Sequence, residues 1–148
     1  MKNIFLILTL VCGNLPAADE ANGEAQFLSR VRQLTLEGRR SGEGYFSPDG
    51  KHIIFQSERE KHNPFYQIYT MDMQSGDVVR VSPGHGKTTC AFFRPNYDEV
   101  LFASSHVDPK VKTKQKAELD FRASGKTRRY SWDYDEQMDI FSFKRDGT

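Results

Sequence analysis

From Gly42 onward the apolar positions fall in short runs bounded by turn-forming residues, which is the pattern of β-strands. "EGYFSPDG" predicts a first strand and its turn. Pro48 presets φ at one central position, Asp49 accepts from the backbone ahead of it, and Gly50 tolerates positive φ. "KHIIFQSE" is nearly continuous in apolar residues, as expected of a strand covered on both faces. "FYQIYTMDMQSGD" predicts a third strand, with Ile68, Thr70 and Asp72 alternating against Tyr69, Met71 and Met73, and ends in a second turn. "VVRVSPG" predicts a fourth, closed by Pro83 and Gly84.

The pattern then begins again. "CAFFRPNYDEVLFASSH" repeats "GYFSPDGKHIIFQSE", with Phe93 standing 47 positions after Phe46. That period matches the roughly 40–50 residues of a four-stranded propeller blade. "MDIFSFKRDGT" repeats "YQIYTMDMQSGD", but Ile140 follows Ile68 by 72 positions, so the second unit carries about 25 extra residues within 107–137. The repeat turns center on Ser47, Pro48, Asp49 and Gly50 in the first unit and on Pro95 and Asn96 in the second. Tyr97 replaces the glycine there, so the second turn is expected to be of another type or shifted.

"FSPDGKHIIF…QIYTMD…GDVVRVS" resembles the Pro-Asp-containing, WD-like propeller repeat of TolB-like periplasmic proteins and related six-bladed β-propellers. The resemblance covers residues 31–148. It implies an all-β fold of four-stranded antiparallel blades, with an incomplete ring in this chain. It also makes "VRQLT", residues 31–35, the closing strand of a preceding blade. One full blade and three strands of a second would follow, ending in the turn "RDGT". Open blade faces then require further blades or self-association.

The first residues differ in kind. "MKNIFLILTLVCGNLPAADEA" orders one lysine, an apolar run over 4–11, and small residues near Ala17, Ala18 and Ala21. The run is shorter than the roughly 20 residues that span a bilayer and fits a secretory signal peptide over 1–18, with a linker over 19–30. The expectation is a periplasmic or secreted protein with no membrane span after cleavage. Lipidation of Cys12 is disfavored by Val11 before it. Signal removal leaves Cys90 alone, so no intrachain disulfide forms, and its apolar run predicts a buried thiol.

The chain has 148 residues, a net charge of +1 and 28% charged residues, so it holds at most one domain and shows no global bias toward nucleic acid. "GHGKTT" at 84–89 imitates a phosphate-binding loop, but Val81 occupies the first glycine position and strand, not helix, follows. His52, His62, His85 and His106 lack zinc-motif spacing, and no serine stands in a nucleophile elbow. The acidic group Asp133, Asp135, Glu136 and Asp139 reads as a solvated face rather than a calcium loop. These features predict no cofactor, no metal and no catalytic residue.

The insertion carries Lys110, Lys112, Lys114, Lys116, Arg122, Lys126, Arg128 and Arg129, followed by Tyr130, Trp132 and Tyr134. Within it, "KTKQKAELDFRAS" is compatible with a short helix. One reading is a soluble loop whose aromatics cap the blade. The other is a docking surface for an anionic protein or peptide, since Trp, Tyr and Arg are common interface anchors. The resemblance implies a non-enzymatic envelope scaffold; the alternative is the propeller of an exported serine oligopeptidase or zinc aminopeptidase whose catalytic domain lies beyond residue 148.

Overall fold

The computed structural model describes residues 27–95, 98–129, 131 and 135–144. The described residues divide after Leu34 into two units. In the first, residues 27–34 carry no regular secondary structure. Residues 31–35, expected as a closing strand, form no strand. A strand exists by ladder pairing, and the last blade of a ring, which this segment was to complete, is not among the described residues.

Among the described residues, the second unit is all-β apart from one helix. Its elements are β1 (Ser41–Phe46), β2 (His52–Ser57), β3 (Gln67–Asp72), β4 (Val78–Arg80), β5 (Thr88–Phe93), β6 (Glu99–Ser104), α1 (Val111–Ala123) and β7 (Asp139–Lys144). The first four make one sheet in sequential order, and β5, β6 and β7 make another. Every pairing is antiparallel. These are two blade-like sheets, and no ring closes among the described residues.

The first hairpin forms where the turn residues place it. The Ser47 amide donates to the His52 carbonyl at 2.9 Å and the Gly50 amide to the Ser47 carbonyl at 2.9 Å. The Ser47 hydroxyl donates to Asp49 Oδ1 at 2.6 Å and accepts from the His52 amide at 2.9 Å. Gly50 takes φ +70°, which a side chain rarely adopts. The second hairpin closes at the equivalent position, with the Arg94 amide donating to the Glu99 carbonyl at 3.0 Å. Asn96 and Tyr97 lie outside the described residues.

The repeat extends to an irregularity. Register slips between Gly42 and Tyr45 in the first sheet and between Thr89 and Phe92 in the second. The residues there, Glu43 and Cys90, have φ 48° and 56° and again stand 47 positions apart. Each sheet therefore opens on a bulged strand. The bulge also corrects one expectation: Cys90 is exposed, because the extra residue turns its side chain off the core alternation.

The two sheets pack face to face. Ile54, Ile68 and Val81 of the first sheet's side meet Ala91, Val100 and Phe102, with Phe93 and Phe143 at the margin. Phe102 stacks on Phe143 with ring centers 5.0 Å apart. On the far face of the first sheet, Phe55, Tyr69 and Met71 form a second cluster. The Arg59 guanidinium lies 5.3 Å and 5.1 Å from the Phe55 and Tyr69 ring centers. "KHIIFQSE" is thus apolar on both sides because both sides are covered.

The far face of the second sheet is open: Phe92 is 47% and Ile140 79% exposed. These positions correspond through the repeat to Tyr45 and Ile68, of which Ile68 is buried in the first sheet. The chain is expected to bind a hydrophobic dye through this face, and Ile140→Lys to reduce that binding while the circular dichroism stays unchanged. Dye fluorescence that does not respond to the substitution would show that the face is not the apolar surface.

Candidate interaction surface

The connection from β6 to β7 is 34 residues long, against nine between β2 and β3. It opens with Asp108, whose Oδ1 accepts the Lys110 amide at 2.8 Å and whose carbonyl accepts the Val111 amide at 3.0 Å. The helix α1 runs from there to a Ser124–Gly125 stop, with Gly125 at φ +69°. Gln115, Glu118 and Arg122 recur at helical spacing and share one face.

That face is fastened to the first sheet's loops. Gln115 Nε2 donates to the His62 carbonyl at 2.9 Å, while its Oε1 accepts the Gly86 amide at 3.3 Å. Arg122 divides its fork among three acceptors: Glu118 Oε1 at 2.7 Å, the Pro64 carbonyl at 2.8 Å and Glu58 Oε2 at 3.0 Å. Arg40 Nε donates to the other Glu58 oxygen at 2.6 Å. Arg128 completes Glu118 at 2.7 Å and lies over the Phe121 ring. Burial alone would raise the Glu118 carboxyl, but the Arg122 and Arg128 hydrogen bonds outweigh it and hold it below the ordinary range.

A second polar knot fixes the start of the helix. Lys114 Nζ sits 2.6 Å from Asp108 Oδ2 and 2.8 Å from Asp135 Oδ1, and Lys87 Nζ lies 3.6 Å from Asp135 Oδ2. Lys114 holds the Asp108 carboxyl low. At Asp135 burial opposes the shift, and the Lys114 hydrogen bond wins. Asp135 was expected on a solvated face and is instead buried, because two lysines reach it. Glu136 and Asp139 are exposed, as that reading requires, and Asp133 lies outside the described residues.

The eight cations of the insertion therefore divide. Arg122 reaches across to Glu58, while within the connection itself Lys114 pairs with Asp108 and Asp135 and Arg128 with Glu118. Lys116 pairs with Asp120 at 2.6 Å on the open surface. Lys110, Lys112, Lys126 and Arg129 are exposed. Tyr130, Trp132 and Tyr134 lie outside the described residues. Sequence reasoning did not find Glu58 or Gln115 among the residues that hold α1; the Glu118–Arg122 spacing of four was the one visible signal.

The "GHGKTT" segment is an inter-sheet connection. The Gly84 amide donates to Gln67 Oε1 at 2.9 Å and the Gly86 amide to Gln115, so these amides already have acceptors within the fold. Asn63 Nδ2 and Gln67 Nε2 both donate to the Gly86 carbonyl at 2.9 Å. Among the described residues, no group of three or more His, Cys, Asp or Glu could hold a metal ion.

No protein-family profile and no curated protein sequence matches the chain. A solved structure assigned as a TolB protein from Agrobacterium tumefaciens is similar. It shares 27% identity over 51% of this chain, with a TM-score of 0.41. The matched half of this chain spans about a quarter of that TolB chain, 26% of its length. Among the described residues, no helix is long and apolar enough to cross a membrane.

Proposed function

We propose that this chain is an exported, non-enzymatic module of TolB-like propeller type whose rim helix docks an acidic protein partner in the cell envelope. The observation that carries the reading is the division of the basic segment. Arg122 fastens α1 to the loops of the first sheet, Lys114 and Arg128 brace the segment internally, and Lys110, Lys112, Lys126 and Arg129 are exposed on the held segment. A helix already ordered loses little freedom on binding, and exposed cations steer an acidic surface toward it. Isolated surface ion pairs add only about 0–1 kcal/mol to stability, so folding alone gives little reason for these four. Export rests on the lysine–apolar–small order of the first 21 residues.

The test uses a fluorescent peptide rich in Asp and Glu, titrated onto protein recovered from the envelope fraction after expression with its own leader. The recovered chain is expected to lack its leader and to bind the peptide more weakly as salt rises. Replacing Lys110, Lys112, Lys126 and Arg129 together with glutamine is expected to weaken binding about tenfold or more with an unchanged melting temperature. Equal binding by the variant, or recovery of an uncleaved chain from the cytoplasm, would overturn the reading.

A further inference from the structure

Two histidines, 21 positions apart and without any metal-motif spacing, meet at the junction of the two sheets. The ring centers of His85 and His106 are 6.0 Å apart, with planes at 79°. Both side chains are partly exposed, so solvent reaches the pair.

Each ring stands on an immobilized support. His85 lies between Gly84 and Gly86, at φ +87° and +75°. The polar groups of those glycines are tied to Asn63, Gln67 and Gln115. A Cβ on Gly86 would stand 2.9 Å from both the amide nitrogen and the Cα of His106, so the two backbones touch. His106 follows β6. Its amide and its Nδ1 both lie within hydrogen-bond distance of the Ser104 hydroxyl, at 3.2 Å and 2.9 Å. Its ring packs edge-on against Phe141 at 4.4 Å and Phe143 at 5.9 Å.

We infer that His85 and His106 form an open, two-imidazole site for a divalent transition-metal ion of the zinc, nickel or copper class. Imidazole nitrogen suits these metals, and two rings that each ligate one ion at about 2.0–2.1 Å place their centers roughly 5–6 Å apart. Ser104 occupies Nδ1 of His106 and so leaves Nε2 as its ligating atom. This is the usual division of labor between a histidine ligand and the hydrogen-bond partner that orients it. Water completes the coordination. The inference is independent of the rim helix and its cations.

The probe is zinc ion alone, titrated calorimetrically onto the full chain, with circular dichroism confirming that each metal-free variant is folded. One zinc per chain is expected, with a raised melting temperature when it is bound. His85→Asn and His106→Asn are each expected to weaken binding at least tenfold, while His52→Asn and His62→Asn leave it unchanged. His85 is on a loop, so its variant reports binding even if His106→Asn fails to fold. Absence of saturable binding, zinc affinity that survives His85→Asn, or loss confined to the His52 or His62 variants would each overturn the site.

Discussion

Phe102→Ala is expected to lower the unfolding free energy by about 3–5 kcal/mol, measured as a shift in the urea midpoint. Phe102 is 1% exposed and stands at the center of the cluster where the two sheets meet. Its ring stacks on Phe143, and both come from the sheet that packs onto Ile54 and Ile68. Truncation removes the apolar surface itself and leaves a cavity that rigid strands on both sides cannot collapse to fill. For a domain whose whole stability is on the order of 5–15 kcal/mol, such a loss is a large fraction. Phe92→Ala is the matched control, since Phe92 is 47% exposed and touches Tyr45 at 4.3 Å across the bulged edge. It should cost far less. Equal losses at the two positions would mean that the sheets are not packed on Phe102.

Arg122→Met is the second large effect, about 3 kcal/mol. The substitution keeps the aliphatic stem but takes away a guanidinium shared by Glu58, Glu118 and the Pro64 carbonyl. Glu58 and Glu118 side chains are only 4% and 9% exposed, so each would be left with one arginine, Arg40 or Arg128, in a poorly solvated place. Glu58→Gln in the same background should recover part of the loss, because one buried charge then disappears along with its missing partner. The acid response follows from Glu118. Its folded carboxyl is held below the ordinary 4.5, so the unfolded chain binds the proton more readily. The stabilization is complete above that ordinary value and is lost as pH falls through the lower, folded value. In Arg122→Met the folded value rises toward the ordinary one, and this pH-dependent contribution shrinks. A melting-temperature curve over acid pH as steep in the variant as in the parent chain would show that Arg122 is not what holds Glu118 down.

The sheets were readable because their signals are local. Ser47, Pro48, Asp49 and Gly50 carry a hairpin in four residues, and the recurrence 47 positions later ties the second hairpin to the first. The bulges were not readable, since Glu43 and Cys90 have no composition that announces positive φ, and Cys90 was consequently expected inside. The helix was visible as a short run of good helix formers, but its orientation was not. Nothing in the order of Lys114, Lys116 and Arg122 says which of them meets a carboxylate more than 60 positions away, as Arg122 meets Glu58. Asp135 failed for the same reason: a cluster of acids reads as solvated until the fold brings Lys87 and Lys114 to one of them.

The clamp made by α1 changes how the two repeats relate as folding units. In stacked repeats each unit touches only its neighbor, and cooperativity comes from the interface between them. Here the second repeat reaches back with hydrogen bonds that close spans of 53, 58 and 64 residues, from Gln115 to His62 and from Arg122 to Pro64 and Glu58. Such contacts form only after a long loop has been closed, so they reward the folded pair and contribute nothing to either sheet alone. An inserted segment that looks like an ornament on one repeat therefore strengthens the coupling between both, and fraying of β7 is opposed by bonds made on the far side of the junction.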